Sequence, residues 1–193
     1  MCLMLAGGAT AGKRSPPSVE RLITRFDASP AGFDRSVYRL NAAAFAKPAT
    51  LRAAAIKHLA ARNRGVHFAA VYALGLSAEA KSGAVQLRRL LSSGNVEDRL
   101  LSASALASLG DSRALPVLIA SLGNRSTFRF WDPPRQAFDF SRTSLLRFTT
   151  RNFGLKAAAT ATQVAATRPK WQRWWRRARS SLRFDARTSR FRG

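Results

Sequence analysis

From Ala31 onward apolar residues recur at helical spacing, in Ala- and Leu-rich stretches of 10–15 residues. Short breaks separate them at Arg62–Gly65, Gly75–Ser77, Ser92–Asn95, Gly110–Asp111 and Gly123–Asn124. Strict two-residue alternation and Asn-Gly turns, the marks of strands and hairpins, are nearly absent. A Gly after a helix supplies a left-handed residue, and a Ser or Asp just beyond it can cap the next helix. In Val96–Leu109 the apolar Leu100, Ala103, Leu106, Ala107 and Leu109 cover a wide arc, so neighbours are expected on more than one side. Upstream, "VERLITRF" (Val19–Phe26) reads as one short amphipathic helix. The pattern predicts an all-α chain of helix, short turn and helix, repeated.

The repetition is visible in the letters. "AVYALG" (Ala70–Gly75) and "ALASLG" (Ala105–Gly110) share a pattern 35 residues apart, and "LRRLL" (Leu87–Leu91) and "LIASL" (Leu118–Leu122) match at an offset of 31. A third copy of the first kind is "SLLRFTTRNFG" (Ser144–Gly154). Periods of this size with two helices per unit predict an α-solenoid, in which no unit buries its apolar face alone.

The stretch "VEDRLLSASALASLGDSRALPVLIASL" (Val96–Leu122) resembles a HEAT-type repeat of the short bacterial kind, also found in phycobilin lyases. Arg99 stands where such repeats commonly carry an arginine, and Leu109-Gly110-Asp111 matches their turn. Leu51–Leu91 is a weaker copy, and "SLLRFTTRNFG" followed by "WQRWW" resembles the close of many bacterial HEAT-repeat proteins. The resemblance implies a right-handed solenoid of about three helix pairs with a Trp-rich capping helix. It leaves function open, because such repeats serve as scaffolds for many partners.

Three segments follow from this reading. Residues 1–16 are expected to be a flexible N-terminus or a truncated export signal, because "ATA" (Ala9–Ala11) resembles a small-x-small cleavage site without the basic start of a full signal. The first alternative places the protein in the cytoplasm, the second in an extracytoplasmic or periplasmic compartment. Residues 17–183 form the repeat domain, with an insertion at 124–142, and residues 184–193 a basic disordered tail. No segment reaches the ~20 apolar residues of a membrane span, so a soluble chain is expected, with contact at a membrane surface left open.

In "PKWQRWWRRARSSLRF" (Pro169–Phe184), Pro169 suits the first turn of a helix and residues 171–183 its body. At 100° per residue Trp171, Trp174, Trp175, Ala178 and Leu182 share one arc of about 100°. Arg173, Arg176, Arg177, Arg179 and Arg183 fill the opposite side. The tryptophans are therefore expected to close the open end of the solenoid, where a terminal unit needs an apolar inner and a polar outer face. The rival readings are a membrane-surface helix and a stacking platform for single strands.

Charge changes the picture for the outer face. The net +23 is made of +4 over residues 1–50, +5 over 51–123 and +14 over 124–193. Arg outnumbers Lys 27 to 6, and its planar fork matches phosphate. The five arginines are candidate binding residues for a polyanion, set against a plain solvated face. The insertion adds Trp131 among Phe128, Phe130, Phe138 and Phe140. So many aromatics predict a loop folded back over a groove, as a binding surface or a packing plug.

Catalytic chemistry finds no support. Cys2 is the single cysteine, and His58 and His67 make no metal cluster. Glu97-Asp98 is the only adjacent acidic pair, at a helix start where the macrodipole favours negative charge. No phosphate-cradling loop or nucleophile motif occurs, and no cofactor is implied. The sequence thus leads to a non-catalytic scaffold for a protein or another anionic partner. The alternatives are a nucleic-acid-binding HEAT module and, by resemblance alone, a lyase-type enzyme.

Overall fold

A computed structural model describes residues 18–77, 82–128, 134–156 and 158–193. Among them the chain is mainly α-helical. The nine α-helices among the described residues are α1 (Val19–Thr24), α2 (Pro30–Ala46), α3 (Pro48–His58), α4 (Arg64–Leu76), α5 (Ser82–Leu90), α6 (Val96–Ser108), α7 (Ala114–Ala120), α8 (Ala137–Phe148) and α9 (Ala161–Ala178). Strands β1 (Arg183–Asp185) and β2 (Arg190–Arg192) end the chain. The expected truncated signal lies outside the described residues.

Helices α1, α4, α6 and α9 start where the sequence offers side chains to their free amides. Asn63 accepts from the amides of Gly65 and Val66 at the head of α4. Asn95 does the same for Glu97 and Asp98 at the head of α6. Pro30 and Pro48 open α2 and α3, where their missing N–H costs nothing. Each helix packs on its chain neighbours and on the next but one: α4, α6 and α8 lie side by side, with α3, α5, α7 and α9 against them. The core runs continuously through these contacts, from Ile23 and Phe33 through Leu74, Leu106 and Leu118 to Trp171.

The expected glycine breaks separate into two kinds. Gly110 is left-handed (φ 78°) and ends α6 as predicted. Gly75 instead lies inside α4, where a β-carbon would come within 2.8 Å of the Ala105 methyl. Its lack of a side chain serves the close approach of α4 and α6. Gly110 also touches the end of the chain, because a β-carbon there would meet the Phe184 ring at 2.6 Å. Gly154, equally left-handed at φ 84°, has nothing within 4 Å. Gly154→Ala is therefore expected to cost only the backbone strain of about 1–2 kcal/mol. Gly110→Ala adds displacement of Phe184 and should lower the midpoint of chemical denaturation further.

The C-terminal region departs from expectation at three points. The last helix begins at Ala161, not near Pro169, because Thr160 and Gln163 form a capping box. It runs through Pro169, which lies on its exposed side, where the ring meets solvent and only one helical hydrogen bond is lost. It ends at Ala178, which puts Leu182 beyond it and Arg183 in β1. The segment read as a disordered tail is a hairpin, with Phe184 paired to Phe191. Their rings lie 5.1 Å apart, and Phe191 is buried and bridged to Thr149.

The insertion is also shorter than the expected 124–142, since Phe138 and Phe140 belong to α8. Thr127 and Gln136 pair across its base, and the buried Phe128 packs 5.1 Å from Phe140. Trp131 lies outside the described residues.

Candidate anion-binding cleft

The exit of α8 builds one wall of the cleft. Thr149 donates through Oγ1 to the carbonyl of Leu145 and accepts the amide of Arg151. Asn152 accepts the amide of Gly154 at 2.7 Å. This tight turn forces Phe153 to φ 46°, an unfavourable region for a bulky L-residue. Ring packing offsets the strain: Phe153 stands edge-on to Trp171 with centroids 4.9 Å apart. Trp171 is in turn edge-on to Trp174 at 5.6 Å.

Helix α9 builds the other wall. Val164, Thr167, Trp171, Trp174 and Ala178 are its buried stripe. Trp171 and Trp174 are thus buried on the inner face of the helix, as their spacing predicts. Trp175 differs, being half-buried at the edge of a second depression beside Pro116 and Ile119. One step round the helix from the buried stripe, Lys170, Arg173 and Arg177 recur at positions i, i+3 and i+7, which share a face. They line a cleft of about 540 Å³ together with Arg151 and Phe153. All four cations are exposed.

Electrostatics make this cleft distinctive. The Arg151 guanidinium donates to the backbone oxygen of Gly193, which also lines the cleft, at 3.0 Å. No ion pair among the described residues engages Arg151, Lys170, Arg173 or Arg177. The described carboxylates nearest in sequence are taken elsewhere: Asp139 by Arg135 and Arg142, and Asp185 by Arg192. Four positive groups in one recess repel each other until an anion enters.

The five arginines singled out in the sequence therefore separate. Arg173 and Arg177 reach the cleft, while Arg176 lies on the far flank beside Trp175. Arg179 caps α9 in the open, and Arg183 donates to the carbonyl of Leu182. Arg151 and Lys170 were missed. Lys170 was readable from its three-residue spacing to Arg173. Arg151 was hidden in "SLLRFTTRNFG", which reads only as a copy of the repeat.

A second polar cluster joins α4 to α6. Nδ1 of His67 lies 2.7 Å from the carbonyl of Leu59, and Nε2 lies 3.0 Å from a carboxylate oxygen of Asp98. Asp98 also meets Arg64 at 3.4 Å and accepts from the Ser93 hydroxyl at 3.1 Å, while Arg64 reaches Glu97 at 3.5 Å. Contact with Asp98 raises the His67 pKa above its ordinary value, against the opposing effect of burial. Burial pushes the Asp98 carboxyl up, but His67 and Arg64 together hold it below its usual value. Each ring nitrogen of His67 thus faces an oxygen, which suits an imidazolium clamping two helices.

No group of His, Cys, Asp and Glu among the described residues could hold a metal ion, and no described helix is long and apolar enough to cross a membrane. Comparison of the chain with protein families, with curated proteins and with solved structures finds no match.

Proposed function

We propose that the chain is a non-catalytic scaffold of the HEAT-like kind, a right-handed solenoid of about three helix pairs, which holds a protein or other anionic partner on the basic side of its last helix. Three features support the solenoid part. Helices pack on the next but one as well as on the next. The Leu109-Gly110-Asp111 turn has its glycine left-handed. Its aspartate accepts from Arg88 at 2.6 Å and from Arg113 at 3.0 Å, tying α5 to the turn between α6 and α7. The binding part rests on one observation: Arg151, Lys170, Arg173 and Arg177 converge on a single recess without an Asp or Glu partner among the described residues.

The test is retention on immobilised heparin, a generic polyanion. Wild-type protein should elute late in a salt gradient. Replacing the four cleft cations with Gln should move elution to markedly lower salt, since each neutralised anion releases counterions. Arg176→Gln, Arg179→Gln and Arg183→Gln together should shift it much less. Equal shifts from the two sets would reduce the cleft to an undirected positive surface.

A further inference from the structure

We infer that the anion taken by this cleft is a phosphodiester chain, a single strand of nucleic acid held by its backbone. This rests on the cleft being an anion site, as proposed above. The first argument is length. Lys170 to Arg177 covers about 10 Å of helix at 1.5 Å per residue. A nucleic-acid strand carries a phosphate about every 3.4 Å along a stacked helix, so this stripe spans roughly three of them. An isolated phosphate would leave most of the stripe unused.

The second argument is shape. Cations from two elements line one open recess, Arg151 from the turn after α8 and Lys170, Arg173 and Arg177 from α9, rather than following a single ridge. A projecting element enters the ~12 Å major groove of a duplex. A recess of about 540 Å³ suits instead a strand with nothing paired to it.

The third argument concerns the walls. Phe153, half-buried, gives the recess an aromatic edge, while Trp174 is buried in the core, and single-strand sites combine basic grooves with aromatic surfaces that accept any base. An acidic peptide has no systematic use for that edge. An anionic membrane would call for exposed apolar side chains beside the charge. The large apolar side chains exposed among the described residues are Tyr38, Phe45, Ile56 and Val85, all in the first half of the chain.

The experiment measures fluorescence anisotropy with a labelled single strand of about 16 nucleotides, and with the same sequence as a duplex. The single strand should bind at least about tenfold tighter than the duplex, with a log–log salt slope near −3, from four contacts at ~0.7 each. Arg151→Gln with Arg177→Gln should weaken binding about tenfold or more and flatten the slope by about 1.4. Arg187→Gln with Arg190→Gln removes the same charge from exposed hairpin positions outside the cleft and should leave affinity within about twofold. Circular dichroism melts would verify that both variants fold.

Equal or tighter duplex binding overturns the inference. So does an equal loss from the hairpin variant, or competition at matched charge by polyglutamate or by phosphatidylserine vesicles. If cleft variants weaken heparin retention while the strand shows no preference, only this inference falls. If neither probe responds to the cleft, the anion site itself falls with it.

Discussion

Trp171→Ala is expected to destabilise the protein by about 3–5 kcal/mol, the usual range for truncating a buried aromatic. Trp171 is wholly buried and lies between Phe153 and Trp174, edge-on to both neighbours. Neither buried indole N–H finds an acceptor among the described residues. The stabilisation therefore comes from apolar area, at about 25 cal/mol per Å² over 150–250 Å² for an aromatic side chain. It must also outweigh the strain of Phe153 at φ 46°. Trp171→Phe keeps most of that area and should cost less than half as much. Urea denaturation of the two variants measures the difference. A loss below ~1 kcal/mol for Trp171→Ala would mean the cap does not close the core.

Asp98→Ala should cost about 2–4 kcal/mol, because it leaves His67 and part of Arg64 without their counter-charge. Removing one partner of a fully buried ion pair costs about 3–5 kcal/mol, and the half-exposed Arg64 softens the loss. The same cluster fixes how stability depends on pH. His67 has a raised pKa in the folded state, so its contribution is complete below its ordinary value of 6.5 and fades as pH rises through the folded value. Asp98 has a lowered pKa, so its contribution is complete above 3.8 and is lost as pH falls through the folded value. Stability from this cluster should be greatest between those limits. Asp98→Asn should flatten both flanks in melting temperatures taken from pH 3 to 9. An unchanged profile would place the pH dependence in other groups.

The helix order was legible because its signals are local. Asn63, Asn95 and Gly110 mark starts and stops within a few residues of where their chemistry acts. Helix α9 was harder to read, since Ala161–Arg168 carries few large apolar residues and Pro169 looked like a beginning. The Thr160–Gln163 capping box was readable and outranked the proline.

The hairpin was not legible. Its two phenylalanines face each other but dock on Gly110 and Thr149, far back in the chain. The cleft was half legible for a related reason. The α9 cations share one helix face, which spacing reveals, whereas Arg151 reaches them through a turn whose geometry no local pattern announces.

The hairpin also bears on the order in which the molecule assembles. Elsewhere most contacts join helices adjacent or nearly adjacent in sequence, and such contacts close early and at little entropic cost. Docking the hairpin requires Phe184 to find the turn after α6, and Arg151 to meet a carbonyl 42 positions away. Those closures carry the larger loop-entropy cost, and the topology predicts that they come last. The recess beside α9 is thus completed at the end of folding, and a chain caught before that point carries the same positive charge without the shape that directs it.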